Sequence, residues 1–592
     1  MQKMLRTLVC ATAFSVAALF QTANAQGLPV GFSDEELEMM QDPAWQAEQQ
    51  IDTRAFTTPP PGPVRNMGQW EETQALTITW TSYPPVLREI VRAGRLETQV
   101  YIICGSTCSG STDSNSVKNY LTAGGVPLSN VHYIHAPCNS VWTRDYSANP
   151  CYINDVDSLV MVDWKYNRPT RTKDDTVPRS LARALNLPVY ETTTSPNQLI
   201  HTGGNYMTDG LGTAFSSELI LDENPTKTEA QINAIMQSFM GINRYIKMET
   251  LPYDGIHHID MHMKLLNEET LLVGEYPAGT SDGPQIEANL AYVLANFNSV
   301  FGTPYKVVRI PQPPDQLNGF TYPGSGGNYL TYANATIINK TVIVPQYYTE
   351  YDTTAIRIWQ EAMPGYNIVG INSNSTMNAS GSLHCITHAV GVNDPLLIVH
   401  QNLPNTGNTT VPYQVDARIQ HRSGIQYATL YFTNDTSAGY TSVPMTLTSV
   451  ANNTWTGFIP AYPAGTHVFY YIKAHANSGK EQVRPMPAPA GNFEFDVLAA
   501  TTINEIASLE IKPAYPNPSH GITCIPVSFN RNTEGSLRLY DMLGKEVALI
   551  YQGEMIAGEK NFFINGLTIV PGAYMIVLET KEERLTQKLM VR

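Results

Sequence analysis

A chain of 592 residues with a formal net charge of −15 and 42% hydrophobic residues is too long for one hydrophobic core and divides into roughly three to four domains. Its acidic balance, with no basic block, argues against nucleic acid and anionic membranes as partners and suits a cationic substrate.

Residues 1–25 read as a secretory signal peptide. Lys3 and Arg6 precede an apolar run from Leu8 to Phe20, and Ala23-Asn24-Ala25 supplies the small-x-small cleavage pattern. The run is too short to span a bilayer, so the mature chain is expected to be exported and soluble or surface-held. Residues 26–65 read as a leader or propeptide: an acidic, helix-prone stretch, "FSDEELEMMQDPAWQAEQQIDTR", and then the proline-stiffened linker "TTPPPGPV". A propeptide end near Arg54 fits this change of texture.

Over residues 66–403, amphipathic helices are followed repeatedly by short β-branched strands. In "PPVLREIVRAGRLETQVYII", Val86, Leu87, Ile90 and Val91 share one helical face before a strand at 100–103. "VPRSLARALNLPVYE", "TEAQINAIMQSFMGINRYIKM", "PQIEANLAYVLANFNSVFGTPYKVVRI" and "DTTAIRIWQEAMPGYNIVGI" repeat that order, and "LLNEETLLVG" and "ATIINKTVIVP" read as hairpins between them. A polar residue stands at the entry of each hairpin: Asp145, Asn205, Asp260, Asn334 and then Cys385, at intervals of 60, 55, 74 and 51 residues. Such a period is a supersecondary repeat. It predicts five α/β units around an axis, each aiming one strand end at the centre, against the plainer alternative of an ordinary α/β sheet. After about Pro404 the helices stop. Residues 404–498 alternate apolar and polar positions between turns, an immunoglobulin-like β-sandwich pattern that "PMPAPAG" brings to a close. Residues 499–592 read as a last all-β module.

Seven cysteines are present. Cys10 leaves with the signal peptide and Cys524 lies in the tail. Cys104, Cys108, Cys138 and Cys151 could make two bridges, with three connectivities. That leaves Cys385, in "SGSLHCITHAVG", as a structural thiol, half of a bridge, a metal ligand or a nucleophile.

If the five-fold reading holds, Trp142, Asp145, His258, Asp260, Asn334 and Cys385 converge. Two carboxylates beside a thiol oppose an oxyanion, so acyl transfer fits poorly. They suit a guanidinium, whose rigid fork matches a carboxylate on each edge, with Trp142 able to cover its face. Cys385 as thiolate then meets an electrophilic carbon, and His258 serves as acid toward departing ammonia and as base toward water. A zinc site on His257, His258 and His262 has poor spacing, since adjacent strand residues point to opposite faces. A papain-like order is excluded because His258 and Asn334 precede Cys385. No EF-hand-like loop is visible, which leans against calcium. No cofactor or metal is expected.

"WTRDY", "HTGGNYMTDG", "HHID", "YANATIINKTVIVP" and "LHCITH" resemble the guanidine-modifying enzymes of the five-bladed α/β-propeller (pentein) fold, and most of all the Porphyromonas-type bacterial peptidylarginine deiminases, relatives of agmatine deiminases. The resemblance covers roughly residues 69–403. It implies that Asp145 and Asp260 bind the guanidinium, that His258 is the general acid and base, that Asn334 orients and that Cys385 is the nucleophile. It also implies an immunoglobulin-like domain after the catalytic one, and the tail from about Ser508 resembles the C-terminal sorting domain of type IX secretion, with that machinery as a partner. Enzymes of this type read a peptide's terminal carboxylate with two arginines in "NRPRP". Here "NRPTRTKDD" keeps Arg168, has Thr170 in the second place and shifts Arg171 by one. Gly255-Ile256-His257 offers no bulky aromatic wall. The expected activity is conversion of arginine residues in peptides or proteins to citrulline. The alternatives are hydrolysis of agmatine or free arginine, and an inactive surface-binding protein on the same scaffold.

Overall fold

The computed structural model describes residues 28–40, 55–108, 110, 113–499, 509–519, 521–555 and 557–592. The signal peptide expected over 1–25, Cys10 and the leader end near Arg54 lie outside the described residues.

Between Val64 and Gly391 the chain forms a mixed α/β fold with five small sheets. Three share one plan, a short antiparallel hairpin, a helix, and a third strand parallel to the second. Met207–Thr208, Thr213–Ser217 and Arg244–Met248 form one; Met263–Leu265, Thr270–Glu275 and Lys306–Pro311 the next; Thr336–Ile338, Thr341–Gln346 and Asn367–Asn372 the third. A fourth sheet joins Val64–Asn66, Asn149–Ile153, Ser158–Tyr166 and Val189–Thr192. The fifth closes the circuit in sequence. Its hairpin partner is the late strand His388–Gly391, which lies antiparallel to the early strand Thr73–Thr79, and Thr73–Thr79 runs parallel to Gln99–Cys104.

The crossover helices form where the apolar spacing predicts them. Pro84–Gly94 starts on prolines, which suit a first turn whose N–H groups lack partners, and buries Val86, Leu87, Ile90 and Val91. Glu229–Met240 begins with a Thr228–Gln231 capping box and ends on Gly241 at φ 72°. That glycine is required twice over, because an added Cβ would lie 1.7 Å from the Val64 carbonyl oxygen. The middle strand Thr213–Ser217 is buried along its whole length, and Thr341–Gln346 is buried as far as Pro345, as parallel strands covered on both faces should be.

From Leu397 to the C-terminus the described chain is almost entirely β. Leu397–Val399 pairs with Tyr413–Gln420, and the strands through Phe493–Val497 are all antiparallel around their own core of Val415, Leu430, Val468, Tyr470 and Ile472. Thr466–Ala476 alternates buried and part-buried positions, the period of two that its sequence carries. Residues 509–591 form a three- and a four-stranded sheet around Ile525, Val527, Leu537, Ile576 and Leu589. Among the described residues no helix is long and apolar enough to cross a membrane. Among the described residues one disulfide joins Cys108 and Cys138, while Cys104, Cys151, Cys385 and Cys524 are free and buried.

Candidate active site

Each unit enters its hairpin through a short turn, and those turns carry the polar residues. Thr143–Tyr146 is one helical turn holding Asp145, Gly203–Asn205 and Ile259–Met261 are single 3-10 turns, and Cys385 lies three residues before His388–Gly391. Because the turns precede equivalent strands, their side chains meet. Asp145, His258, Asp260, Asn334 and Cys385 are all within 3% of full burial.

Asn334 ties the group together. Its Nδ2 donates to the Asp260 carbonyl at 3.1 Å and to Cys385 Sγ at 3.3 Å, and its Oδ1 accepts the His384 backbone N–H at 3.0 Å. Cys385 Sγ stands 3.7 Å from Asp260 Oδ2. That same oxygen lies 2.6 Å from His384 Nδ1. On the other side, Asp145 Oδ1 accepts the Gly204 N–H at 3.1 Å and faces His258 Nδ1 at 3.6 Å. Gly204 is what allows this approach, since a Cβ there would lie 2.3 Å from His258 Nδ1 and 2.9 Å from Asp145 Oδ1. Asp145 Oδ2, Asp260 Oδ1 and both ring nitrogens of His258 are buried without a hydrogen-bond partner. Buried acceptors of this kind call for a donor, and a forked cation supplies several.

The electrostatics follow from burial. Burial pushes the Asp145 carboxyl up to about 6, against the pull of the Arg168 guanidinium. Burial, with the Asp145 carboxylate beside it, pushes Asp260 up to about 8. The Cys385 thiol is driven well above its ordinary range by burial, then by Asp260 and Asp145. His258 is held well below its ordinary value by burial and then by Arg168. At neutral pH the resting pair is therefore a thiol and a neutral imidazole.

The three residues expected to bind substrate are placed differently. Trp142 is fully buried, and its Nε1 donates to the Leu28 carbonyl at 2.6 Å. Arg168 is near enough to act on Asp145 and His258, but its Nε donates to the Val30 carbonyl at 3.1 Å. Arg171 is paired with Glu36 at 2.6 Å. The adjacent Arg144 donates through its backbone N–H to the Cys385 carbonyl at 3.1 Å, which ties the turn of Asp145 to the loop of the thiol. Among the described residues no cluster of three or more His, Cys, Asp or Glu side chains is arranged to hold a metal ion.

Reasoning from sequence missed Gln69, Gly204 and Lys264. Gln69 bridges His384 Nε2, at 3.0 Å, and Lys264 Nζ, which donates to its Oε1 at 3.0 Å, so a hydrogen-bonded chain runs from Asp260 through His384 and half-buried Gln69 to a lysine. The doubled glycine of "HTGGNY" was the available signal for Gly204. Nothing in the pattern singles out Gln69 or Lys264.

Residues 65–390 match the family model described as Porphyromonas-type peptidyl-arginine deiminase, and residues 513–592 match that of the secretion system C-terminal sorting domain. Among curated proteins, the chain is similar to a "Putative agmatine deiminase" of Vibrio parahaemolyticus, 23% identical over 358 residues, spanning 54% of this chain and 95% of that one. A protein of the same name from Selenomonas ruminantium is 23% identical over 351 residues, spanning 53% and 90%. An X-ray structure under that name aligns with 58% of this chain and 100% of its own at 19% identity and a TM-score of 0.50, a likeness that speaks to the fold alone.

Proposed function

This chain belongs to the Porphyromonas-type peptidyl-arginine deiminase family, and from that premise we propose that it converts arginine residues of peptides or proteins to citrulline with release of ammonia. It is a guanidine deiminase of pentein kind, and its type IX sorting domain indicates secretion or attachment at the cell surface. The finer reading takes the five small sheets as propeller blades, residues 66–403 as the catalytic domain, 404–498 as an immunoglobulin-like domain and 499–592 as the sorting domain, behind a signal peptide over 1–25 and a leader over 26–65.

The observation that carries the chemistry is the pair of buried, unpartnered carboxylate oxygens, Asp145 Oδ2 and Asp260 Oδ1, beside a free buried thiol. A guanidinium placed between them satisfies both, favours their ionised forms, and offsets the negative charge that, with burial, opposes ionisation of Cys385. The thiol then gives its proton to His258, and the thiolate adds to the guanidinium carbon, forming the C–S bond. The imidazolium returns that proton to the leaving nitrogen, the C–N bond breaks, and ammonia departs from a cationic thiouronium still held by both carboxylates. Neutral His258 next takes a proton from water as its oxygen adds to the same carbon. The C–S bond breaks, the sulfur regains a proton from the new hydroxyl, a neutral ureido group remains, and His258 gives up the proton it took from water to ammonia or solvent, which restores the neutral imidazole.

The peptidyl assignment is supported by the sorting domain, which suits an extracellular substrate, and by Arg168, which matches the first carboxylate-reading arginine. Thr170 in place of the second arginine, and relatives named as agmatine deiminases, favour a small-guanidine hydrolase as the second reading. Incubation of the mature protein, freed of its leader, with agmatine, free arginine, a peptide ending in arginine and one with internal arginine, reading ureido product and ammonia, separates the two. Turnover of agmatine alone overturns the peptidyl reading, and no ammonia from any of the four overturns the deiminase.

A further inference from the structure

We propose that residues 28–40 are an intramolecular peptide ligand of the substrate entrance and hold the enzyme latent until they are displaced. The inference rests on the reading above that Trp142, Arg168 and Arg171 are residues that bind the substrate. All three are engaged by one short segment. Trp142 Nε1 donates to the Leu28 carbonyl, and Arg168 Nε donates to the Val30 carbonyl. The Arg168 guanidinium also stacks 4.2 Å from the ring centre of Phe32. Arg171 Nη2 donates to the Pro29 and Gly31 carbonyls, both at 2.8 Å. Its Nε and Nη2 hold the two oxygens of Glu36 at 2.6 and 2.9 Å, and Thr170 donates to Glu36 Oε1 at 2.8 Å.

The segment also seats on the two loops that carry the chemistry. Val30 N donates to the Ala379 carbonyl at 2.9 Å, six residues before Cys385. A Cβ on Gly381 would lie 2.7 Å from Val30, and one on Gly31 would lie 3.2 Å from Ile256, two residues before His258. Val30 is 0% exposed. An ordinary surface tail does not bury its backbone carbonyls on two arginines and its valine on a catalytic loop.

What the segment presents is what a peptide substrate presents, except for the reacting group. The carbonyls of Leu28, Pro29, Val30 and Gly31 are taken by side-chain donors, and Glu36 offers a carboxylate. Residues 28–40 hold Asp34, Glu35, Glu36 and Glu38 and no Lys or Arg, so the ligand can bind and cannot be turned over. Burial alone would raise the Glu36 carboxyl, but the Arg171 guanidinium overrides it and holds the group down at about 2. The Ser33–Glu36 capping box fixes Glu36 at the start of helix Asp34–Met39, which orients its carboxylate before it meets Arg171.

The test uses the full chain with Val30→Asp or Glu36→Gln, two changes at separate contacts and outside the catalytic group. Two rates are read. One is labelling of Cys385 by a small cationic haloacetamidine, which forms one C–S bond and releases halide without any turnover. The other is kcat/KM on arginine peptides. Both variants are expected to raise the labelling rate roughly ten- to a hundredfold, the scale of one lost charged, two-pronged contact. A synthetic peptide of residues 28–40 added to either variant should slow labelling again, while a scrambled peptide of the same composition should not. Wild-type and variant chains labelling at equal rates would overturn the latch, as would a rise that the synthetic peptide fails to reverse. The parent reading fails separately: faster labelling with no ammonia from any guanidine leaves the latch standing and removes the deiminase.

Discussion

Replacing Asp260 by Asn should move two rates in opposite directions. Asparagine keeps the shape beside His384 and Cys385 but removes the charge. For a guanidine substrate, a buried charged partner is lost, at a cost of about 2–5 kcal/mol. At about 1.36 kcal/mol per decade, kcat/KM falls roughly thirtyfold to several thousandfold. The bare thiol responds the other way. Asp260 Oδ2 stands 3.7 Å from Cys385 Sγ, and at an effective dielectric of about 20 the repulsion between carboxylate and thiolate is on the order of 4 kcal/mol. Burial and the neighbouring Asp145 push the Asp260 carboxyl up, so it is most fully ionised in the wild type, and opposes the thiolate most, at alkaline pH. Removing it lowers the thiol's pKa, and alkylation by neutral iodoacetamide at pH 9 should rise, up to about a thousandfold. Toward lower pH the wild-type Asp260 becomes increasingly protonated, and the difference between the two proteins should shrink. Ammonia release and the alkylation rate, each measured from pH 6 to 10, test this together. Parallel falls in both would mean that the substitution collapses the site. Turnover within a few-fold of wild type would remove the paired-carboxylate account.

Cys385→Ala should abolish ammonia release while circular dichroism and the denaturation midpoint stay near wild type, because one small side chain is removed. Gly204→Ala should cut kcat by orders of magnitude, since its Cβ would strike His258 Nδ1 at 2.3 Å; overpacking costs about 1–3 kcal/mol, so a folded but inactive protein is the expected outcome of thermal melting and assay together. Replacing both Cys108 and Cys138 by Ser opens a loop closed across 30 residues and should lower stability by about 3–4 kcal/mol on the chain-entropy account, read as a shifted urea midpoint under oxidising conditions. Arg168→Ala, made in the Val30→Asp background so that the leader does not compete, should reduce kcat/KM for peptides ending in arginine roughly ten- to a hundredfold and spare agmatine, which has no carboxylate.

The polar residue at each hairpin entry was legible because a repeat writes its period into the chain. Asp145, Asp260, Asn334 and Cys385 each stand a few residues before a strand, and the fold brings Asp260, Asn334 and Cys385 into contact and Asp145 against His258. The crossover helices were legible from spacing, as in Val86, Leu87, Ile90 and Val91. Sequence could not show what lies across the site. Gln69 and Lys264 reach His384 from strands and loops far away in the chain, and no local pattern marks a glutamine that bridges a histidine to a lysine. The partners of Arg168 and Arg171 were hidden for the same reason. The motif suggested a substrate carboxylate, whereas Glu36, 135 residues earlier, already supplies one to Arg171.

An exported enzyme with a free cysteine faces oxidation, and the site's charge arrangement bears on that problem. The reactive form of cysteine is the thiolate, both for alkylation and for the first steps of oxidation. Burial raises Cys104 to about 11 and Cys151 to about 12, so a buried thiol is protected without any special device, but it is also inert. Cys385 has that protection and, in addition, two carboxylates that oppose its ionisation. The carboxylates make the opposition conditional. A planar cation between them removes it, and a neutral molecule of the same shape does not. Substrate selection and nucleophile activation thus reside in the same two charges. On the proposed mechanism the reaction itself resets them: the ureido product carries no charge, so once it forms, Asp145 and Asp260 again oppose ionisation of Cys385, and the free thiolate exists only while a guanidinium is bound, the sulfur being held in the C–S bond of the thiouronium thereafter.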